Sequence, residues 1–147
     1  MEAWKYCWGT VGTVYTQKKH KITFVVIVNN DQQVKLKNSI PFLPEDVRVK
    51  IIQSLDIVDS TTLSIDDTES IEKTLEYLAY DYEDFNEKIY FVNSGDRQKS
   101  HPKEHEICEK HGIEEVFLDL PKINSSGEIL DNVGKEWLKR KQNDEQN

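Results

Sequence analysis

The sequence has too few cysteines to form a disulfide framework. Its 147 residues include only Cys7 and Cys108, whereas disulfide-stabilised domains need several bridges. The chain also has no apolar run approaching the roughly 20 residues of a membrane-spanning helix. Near its start, Trp4, Tyr6 and Trp8 alternate with polar or small residues, unlike the apolar core of a signal peptide. We therefore expect a cytoplasmic protein with free thiols and no membrane partner.

Positive charge is also scarce. Lys and Arg number 19 against 27 Asp and Glu, which gives a net charge of −8. Binding to nucleic acid by phosphate neutralisation needs a surplus of basic residues, so nucleic acid is not an expected partner. A local basic group still suffices for a single nucleotide. The length fits one domain over residues 1–147, and a hydrophobic content of 37% is adequate for a core.

The remaining pattern alternates strands with helices. Lys21–Val28 is almost entirely β-branched or aromatic, so a strand buried on both faces is predicted. Further strands are predicted at Thr61–Ile65, Lys88–Asn93 and Glu115–Leu118. Helices are predicted to begin at Pro44, after the Asp66–Thr68 cap, at Pro102, and at Ser125 or Ser126. This alternation predicts an α/β fold: a Rossmann-like, open, mainly parallel sheet with helices on both faces.

The two ends of the chain depart from this alternation. Residues 1–20 form an atypical N-terminal segment, in which Thr10–Thr16 has strand propensity. The connector to Lys21–Val28 is too short for a parallel crossover, so we expect an antiparallel hairpin or irregular structure. Without a central parallel strand, apolar surface near Phe24 and Phe91 should be exposed, which favours low stability or a homo-oligomer. The last helix should break near Gly134, and residues 141–147 should fray.

Two strands end abruptly in small polar residues and an Asp. The first end is IVNNDQQV at residues 27–34, and the second is FVNSGDR at residues 91–97. Parallel strands end in this way where their carboxyl ends open onto a ligand crevice. A third segment, KINSSGEIL at residues 122–130, places paired hydroxyls before an apolar run, as at a phosphate-binding helix start. Together the segments indicate a nucleotide-type site.

Each of these features also has an ordinary structural interpretation. Asn29-Asn30-Asp31 is typical of a strand-ending turn, the lysines that follow are typical of a solvated loop, and the serine pair is typical of a helix cap. Asp96 and Arg97 form a plausible surface ion pair. The aromatic residues near the start most simply cover part of the core, with base stacking as the alternative.

A metal site on the Pro102 helix is a further alternative. His101, His105 and Cys108 share one face of that helix and could reach a common ion. No confident fourth ligand is present, and Cys108 is more simply a core residue beside Ile107.

The ordered set of segments resembles the cytidylyltransferase-like nucleotidyltransferases. Within that superfamily, the segments resemble those of glycerol-3-phosphate cytidylyltransferases and of the adenylyltransferases that make ADP-heptose. The resemblance runs from Phe24 to Leu130 through IVNNDQQVKLKNSIPFLPEDVRVKIIQSLDIVD, SIDDTESIEKTL, FVNSGDR and HPKEHEICEKHGIEEVFL, ending in KINSSGEIL. Family members transfer a nucleotidyl group from CTP or ATP to a phosphorylated sugar or alcohol, usually with Mg²⁺.

The resemblance also implies roles for individual residues at the nucleotide and phosphate site. Asn30 and Asp31 stand at the strand end that opens the site, and Lys35 and Lys37 follow in the loop that contacts triphosphate. Arg48 matches an arginine of the next helix. The base and ribose pocket corresponds to Ser94, Gly95, Asp96 and Arg97, and the phosphate-holding serine/threonine motif corresponds to Asn124, Ser125 and Ser126.

One part of the family pattern is missing. The family's catalytic H-x-G-H occurs nowhere in this chain, and upstream of Lys21 the only histidine is His20. No catalytic residue is therefore assigned. We expect a truncated or degenerate nucleotidyltransferase-family protein, weakly active or inactive. The alternatives are a non-catalytic α/β nucleotide-binding or interaction module and, less favoured, a flavodoxin-like regulatory domain.

Overall fold

The computed structural model describes residues 10–18, 21–37, 41–83, 88–94, 99–118 and 126–144. These ranges contain five strands and five helices. The strands are β1 (Thr10–Lys18), β2 (Lys21–Val28), β3 (Ser60–Leu63), β4 (Lys88–Ser94) and β5 (Glu114–Leu118). The helices are α1 (Asp31–Leu36), α2 (Glu45–Gln53), α3 (Glu72–Glu83), α4 (Pro102–His111) and α5 (Ser126–Asp144).

All five strands join one sheet in the order β3-β2-β1-β4-β5. The central strand β1 pairs antiparallel with both β2 and β4, with Thr13 opposite Val26 on one side and Val92 on the other. The outer pairs, β2 with β3 and β4 with β5, are parallel. Four strands therefore run in one direction, and β1 alone runs against them.

The predicted hairpin is confirmed, and the predicted sheet is only partly right. Lys18 pairs with Lys21, so the short connector does force an antiparallel turn. The α/β class is confirmed as well. The mainly parallel, Rossmann-like sheet is not what the described residues form, because two of the four strand pairings among them are antiparallel.

Strand β2 is buried on both faces, as its β-branched sequence predicts. Val25 and Ile27 pack on one face with Ile71, which precedes α3, and with residues of α3 and α4 such as Leu75 and Cys108. On the other face, Phe24, Val26 and Val28 pack with Ile52 of α2. Helices thus cover both faces of the sheet. The expected exposure near Phe24 and Phe91 is wrong: both are buried, and β1 pairs with both of their strands.

Helix boundaries follow local signals in two cases. Helix α2 begins directly after Pro44. Helix α4 begins at Pro102 and ends at Gly112, whose φ of 64° lies in the left-handed region that glycine adopts without strain.

Elsewhere the structure corrects the sequence predictions. Lys35 lies on the short helix α1 and not in a loop, and β3 ends at Leu63 and not at Ile65. Helix α5 passes through Gly134 without a break and continues to Asp144, so residues 141–144 are helical. Within the described ranges, none of the helices combines the length and apolarity of a membrane-spanning segment.

Candidate functional site

The four strands that share a direction end at one border of the sheet, which we call the carboxyl edge. Their last residues are Val28, Leu63, Ser94 and Leu118. The amino end of β1 also lies there, since Thr10 pairs with Val28. The carboxyl ends of parallel strands are where open α/β sheets bind ligands. Both strand ends that the sequence pointed to, after β2 and after β4, reach this edge.

Asn30 joins the end of β2 to the segment that follows β3. Its side-chain Oδ1 accepts the backbone N–H of Gln33 at 2.8 Å, which caps α1. Its Nδ2 donates to the backbone carbonyls of Ser64 (3.0 Å) and Asp66 (2.7 Å). Gln33 is fully buried, and its Nε2 donates to the carbonyls of Thr68 and Ser70, both at 2.9 Å. The amides therefore act as structural ties at this edge.

Arg48 approaches the same edge from α2. Its guanidinium is buried and donates three hydrogen bonds, to the carbonyls of Leu43 (3.0 Å) and Asn29 (2.7 Å) and to Oδ1 of Asp31 (2.5 Å). Asp31 also donates its backbone N–H to Glu45 at 2.7 Å. The guanidinium of Arg48 is therefore paired with groups of the protein itself, which explains how it can be buried.

The amino end of α3 is closed by a buried carboxylate. Asp66 is 1% exposed, and its oxygens accept the backbone N–H groups of Lys73 (2.8 Å) and Thr74 (3.0 Å). The hydroxyls of Thr74 and Ser64 donate to the same carboxylate at 2.5 and 3.2 Å. A negative charge at a helix start is favourable, so Asp66 takes the place that a phosphate group would otherwise use.

Glu104 performs a similar role between α3 and α4. It is fully buried and accepts the backbone N–H groups of Ile71 and His101, both at 3.2 Å. Lys103 bridges the same helices through Glu72 at 2.9 Å. Burial raises the pKa of Glu72, but hydrogen bonds from Ser70 and Lys103 outweigh it and hold that pKa below its ordinary 4.5.

Two buried asparagines at the carboxyl edge carry an unpaired oxygen. Asn29 directly follows β2, and Asn93 is the next-to-last residue of β4. Within the described residues, neither Oδ1 has a hydrogen-bond partner. Because side chains two residues apart in a strand lie on the same face of the sheet, Asn29 lies on the face of Ile27 and Asn93 on the face of Phe91. Buried acceptors are normally paired, so each of these oxygens marks a position where a donor group is favourable.

The structure brings together only some of the residues that the resemblance implied. Asn30, Asp31 and Arg48 meet at the end of β2. Lys35 and Lys37 are exposed on and just after α1. The backbone of Ser94 ends β4, and that of Ser126 begins α5. The other members of the set lie outside the described residues: Gly95, Asp96, Arg97, Asn124 and Ser125.

The described histidines do not form a metal site. His101 caps α4, with its Nδ1 accepting the N–H of Lys103 at 3.4 Å. His105 instead contacts Glu115 at 2.5 Å, His111 packs edge-on against Tyr80 at 4.8 Å, and Cys108 is buried in the core. Across the described part of the chain, no group of three His, Cys, Asp or Glu side chains is placed to hold an ion.

Mg²⁺ therefore finds no ready-made site among the described residues. At the end of β2, the carboxylate of Asp31 is already engaged by Arg48.

Sequence reasoning missed several of the residues that organise this edge. Gln33, Ser64, Thr74 and Glu104 were not singled out, and Asp66 was recognised only as a helix cap. The spacing Asn30-x-x-Gln33 is a capping-box signal that the structure confirms. Ser64 and Thr74 have no comparable signal, because their roles depend on partners distant in sequence.

Comparison with known proteins gives no assignment. Neither a protein-family model, nor a curated protein, nor a solved structure matches this chain. The likeness to nucleotidyltransferases therefore rests on the order of short motifs alone.

Proposed function

We propose that this chain is a nucleotidyltransferase-type α/β protein that binds a nucleoside triphosphate weakly at its carboxyl edge and transfers its nucleotidyl group slowly or not at all. CTP and ATP are the candidate nucleotides, and a phosphorylated sugar or alcohol is the candidate acceptor. A cytoplasmic location belongs to the same proposal.

The observation that carries this proposal is the pair of buried asparagine oxygens at the carboxyl edge. Asn29 follows β2 and Asn93 lies on β4, the two strands that flank β1, and their unpaired Oδ1 atoms are acceptors. The exocyclic amino group of cytosine or adenine and the hydroxyls of ribose are donors of the matching kind. A ligand that supplies such donors would relieve the cost of the unpaired acceptors.

Phosphate binding has weaker support at the same edge. Lys35 and Lys37 provide exposed positive charge at the carboxyl end of α1, the short helix that Asn30 caps. The starts of α3 and α4, however, already hold the carboxylates of Asp66 and Glu104. Because these carboxylates occupy backbone N–H groups and repel anions, the phosphates depend mainly on lysine side chains. We therefore expect weak binding, with Mg²⁺ arriving on the triphosphate.

Transfer itself lacks suitably placed histidines among the described residues. His101 is at the start of α4 and is used for capping. His105 and His111 lie at the other end of the sheet, since His105 contacts Glu115 near the start of β5 and His111 ends α4. Each missing donor to the developing phosphate charge costs a factor of about 100 to 1,000 in rate.

The test is titration calorimetry with CTP and ATP, with and without Mg²⁺, alongside pyrophosphate release in the presence of phosphorylated acceptors. The double variant Lys35→Gln/Lys37→Gln should weaken binding about tenfold. The matched control is Lys50→Gln/Lys110→Gln, which removes the same charge from the last turns of α2 and α4 and should leave binding unchanged.

Two results would contradict the proposal. One is the absence of binding at millimolar nucleotide. The other is turnover of order 1 per second, which is ordinary for an enzyme.

A non-catalytic interaction module is the second candidate. The observation that favours it is a pair of apolar side chains one turn apart on α5, Val133 and Trp137, which are both more than half exposed.

A further inference from the structure

The side-chain amide of Asn93 is oriented by Ser100. The Nδ2 atom of Asn93 donates to the hydroxyl oxygen of Ser100 at 3.2 Å. Asn93 is fully buried, and its Oδ1 meets no donor among the residues that the structure describes. An amide turned the other way would accept a hydrogen bond from Ser100 and leave a donor free instead. In the observed orientation, the free end of this side chain is therefore an acceptor.

Asn29 provides a second free acceptor on the same face of the sheet. Its side chain is 4% exposed, and its Oδ1 likewise lacks a partner in the described ranges. Thr13 pairs with both Val26 and Val92, so Asn93 lies one residue beyond that level and Asn29 three residues beyond it. Strand and residue spacings then place the two asparagine Cα atoms about 12 Å apart. An elongated ligand that crosses the end of β1, with a donor towards each asparagine, satisfies both oxygens.

The direction of such a ligand follows from what lies beyond Asn29. Across the sheet the strand order is β4, β1, β2, β3, and Asn30 ties the start of α1 to the segment after β3. The exposed Lys35 and Lys37 lie at the other end of α1. Phosphates held by these lysines are therefore on the β3 side of Asn29. This leaves the ribose nearest Asn29 and the base nearest Asn93.

An acceptor at the base end separates amino bases from keto bases. Adenine and cytosine each carry an exocyclic amino group that can donate to Oδ1 of Asn93. Hypoxanthine and uracil carry a keto oxygen in the same place, which would face Oδ1 with no proton between the two acceptors. Leaving a buried polar group unpaired is unfavourable, and a site built around a hydrogen bond rejects an analogue that cannot make it.

We propose that Asn93 reads the exocyclic amino group of adenine or cytosine and that Ser100 is the positioning residue that holds the Asn93 amide in its reading orientation. The hydroxyls of ribose then lie nearest Asn29. Ser100 is suited to this role because it directly precedes His101, the cap of α4, so that the start of a helix fixes its place. The inference rests on the proposed nucleotide binding and adds to it a selectivity for the base.

The first experiment compares nucleotides that differ at this one group. The full chain is titrated with ATP and ITP, and with CTP and UTP, and binding is followed by NMR chemical shifts. Each comparison keeps the triphosphate and the ribose constant. We expect ITP and UTP to bind more weakly than ATP and CTP, by about tenfold or more.

Variants at Ser100 test the origin of this selectivity. Ser100→Ala should bring the ratio of the ATP and ITP affinities close to one, because the amide can then turn either end to the base. Ser100→Thr keeps the hydroxyl and should keep the ratio. The matched control Ser54→Ala removes an exposed hydroxyl at the end of α2 and should change neither affinity. The ratio is informative because a general loss of stability weakens the binding of ATP and ITP alike.

A second experiment tests the Ser100 contact without any nucleotide. Hydrogen exchange of the Nδ2 protons of Asn93 is measured by NMR, with the side chain assigned through the backbone resonances of the same residue. We expect slow exchange in the parent and in Ser100→Thr, and exchange faster by about tenfold or more in Ser100→Ala, where the hydrogen bond is lost. Unchanged exchange in Ser100→Ala would overturn the positioning role.

The outcomes separate this inference from the proposed function. Equal affinities for amino and keto nucleotides would overturn base reading by Asn93 and leave nucleotide binding intact. A preference for ITP and UTP would show that the amide is reversed and would overturn it as well. Selectivity that survives Ser100→Ala would overturn the role of Ser100. If none of the four nucleotides binds, the proposed function and this inference both fail.

Discussion

Asp66 and Thr74 form a double hydrogen bond at the start of α3. One carboxylate oxygen of Asp66 accepts both the backbone N–H of Thr74 at 3.0 Å and its hydroxyl at 2.5 Å. Asp66 therefore caps a helix that begins six residues later, from within a loop that leaves the carboxyl edge.

Replacing Asp66 with Asn should destabilise the fold by about 1–3 kcal/mol. The change removes the charge that faces the helix start and leaves one buried donor poorly satisfied. Urea unfolding followed by circular dichroism measures the loss. Asp67→Asn is the matched control, because Asp67 is exposed and, among the described residues, forms its ion pair with the exposed Lys73 alone; its unfolding midpoint should stay close to that of the parent. Equal losses in the two variants would show that the burial of Asp66 contributes nothing specific.

Arg48 should be one of the most important polar residues for stability. Arg48→Met keeps much of the side-chain volume but leaves the carbonyls of Asn29 and Leu43 and the carboxylate of Asp31 without their donors. We expect a loss of about 2–4 kcal/mol. A double-mutant cycle with Asp31→Asn should give a coupling energy above about 0.5 kcal/mol. Lys50→Met, two residues further along α2 and exposed, is the control. Additive effects would contradict a direct Arg48–Asp31 interaction.

Local patterns in the sequence were sufficient to predict several elements. The β-branched run of β2 predicts a strand buried on both faces, and the few residues before it predict the hairpin with β1. Pro102 and Gly112 predict both ends of α4. In each case the decisive physics, whether strand propensity, chain length or backbone freedom, acts over a few neighbouring residues.

The remainder depends on distant partners. The central place of β1 depends on its pairing with β4, more than 70 residues away in sequence, which no local pattern reveals. Asp66 was read as an adjacent cap, but its side chain reaches Lys73 and Thr74, so α3 starts later than predicted. Gly134 does not break α5, since a glycine lowers helix stability without forbidding the helical conformation.

The candidate site, like the fold, was predictable where local signals decide and hidden where distant partners decide. The polar ends of β2 and β4 located the carboxyl edge correctly. The capping residues Glu104 and Thr74 stayed hidden because a buried polar side chain is identified by its tertiary partners. The buried state of Arg48 was hidden for the same reason.

His105 should make stability depend on pH. Its Nδ1 lies 2.5 Å from Glu115, and the hydrogen bond and charge of Glu115 raise the pKa of His105 above its ordinary 6.5. The charged pair is more favourable in the folded state, so its contribution is complete at pH values well below 6.5 and is lost as the pH rises through the raised value.

NMR titration of the His105 ring checks this prediction. Glu115→Gln should return the pKa of His105 towards 6.5, and the stability difference between parent and His105→Gln should shrink as the pH rises from 6.5. A His105 pKa that does not respond to Glu115→Gln would refute the assignment.

Cys108 should be inert to thiol reagents while the protein is folded. Burial in the core, together with the nearby charges of Glu115 and Glu104, raises the pKa of its thiol from 9.0 to about 12. That shift lowers the thiolate fraction roughly a thousandfold, and the thiolate is the reactive form.

In a Cys7→Ser background, labelling with an aromatic disulfide should therefore require opening of the core between β4 and α4. When opening is fast relative to labelling, the rate follows the equilibrium population of the open form. Asp66→Asn should then accelerate labelling about tenfold for each 1.4 kcal/mol lost, whereas Asp67→Asn should not. Fast labelling of a chain with native circular dichroism would show that Cys108 is accessible in the folded state and that the core around it is looser than its burial indicates.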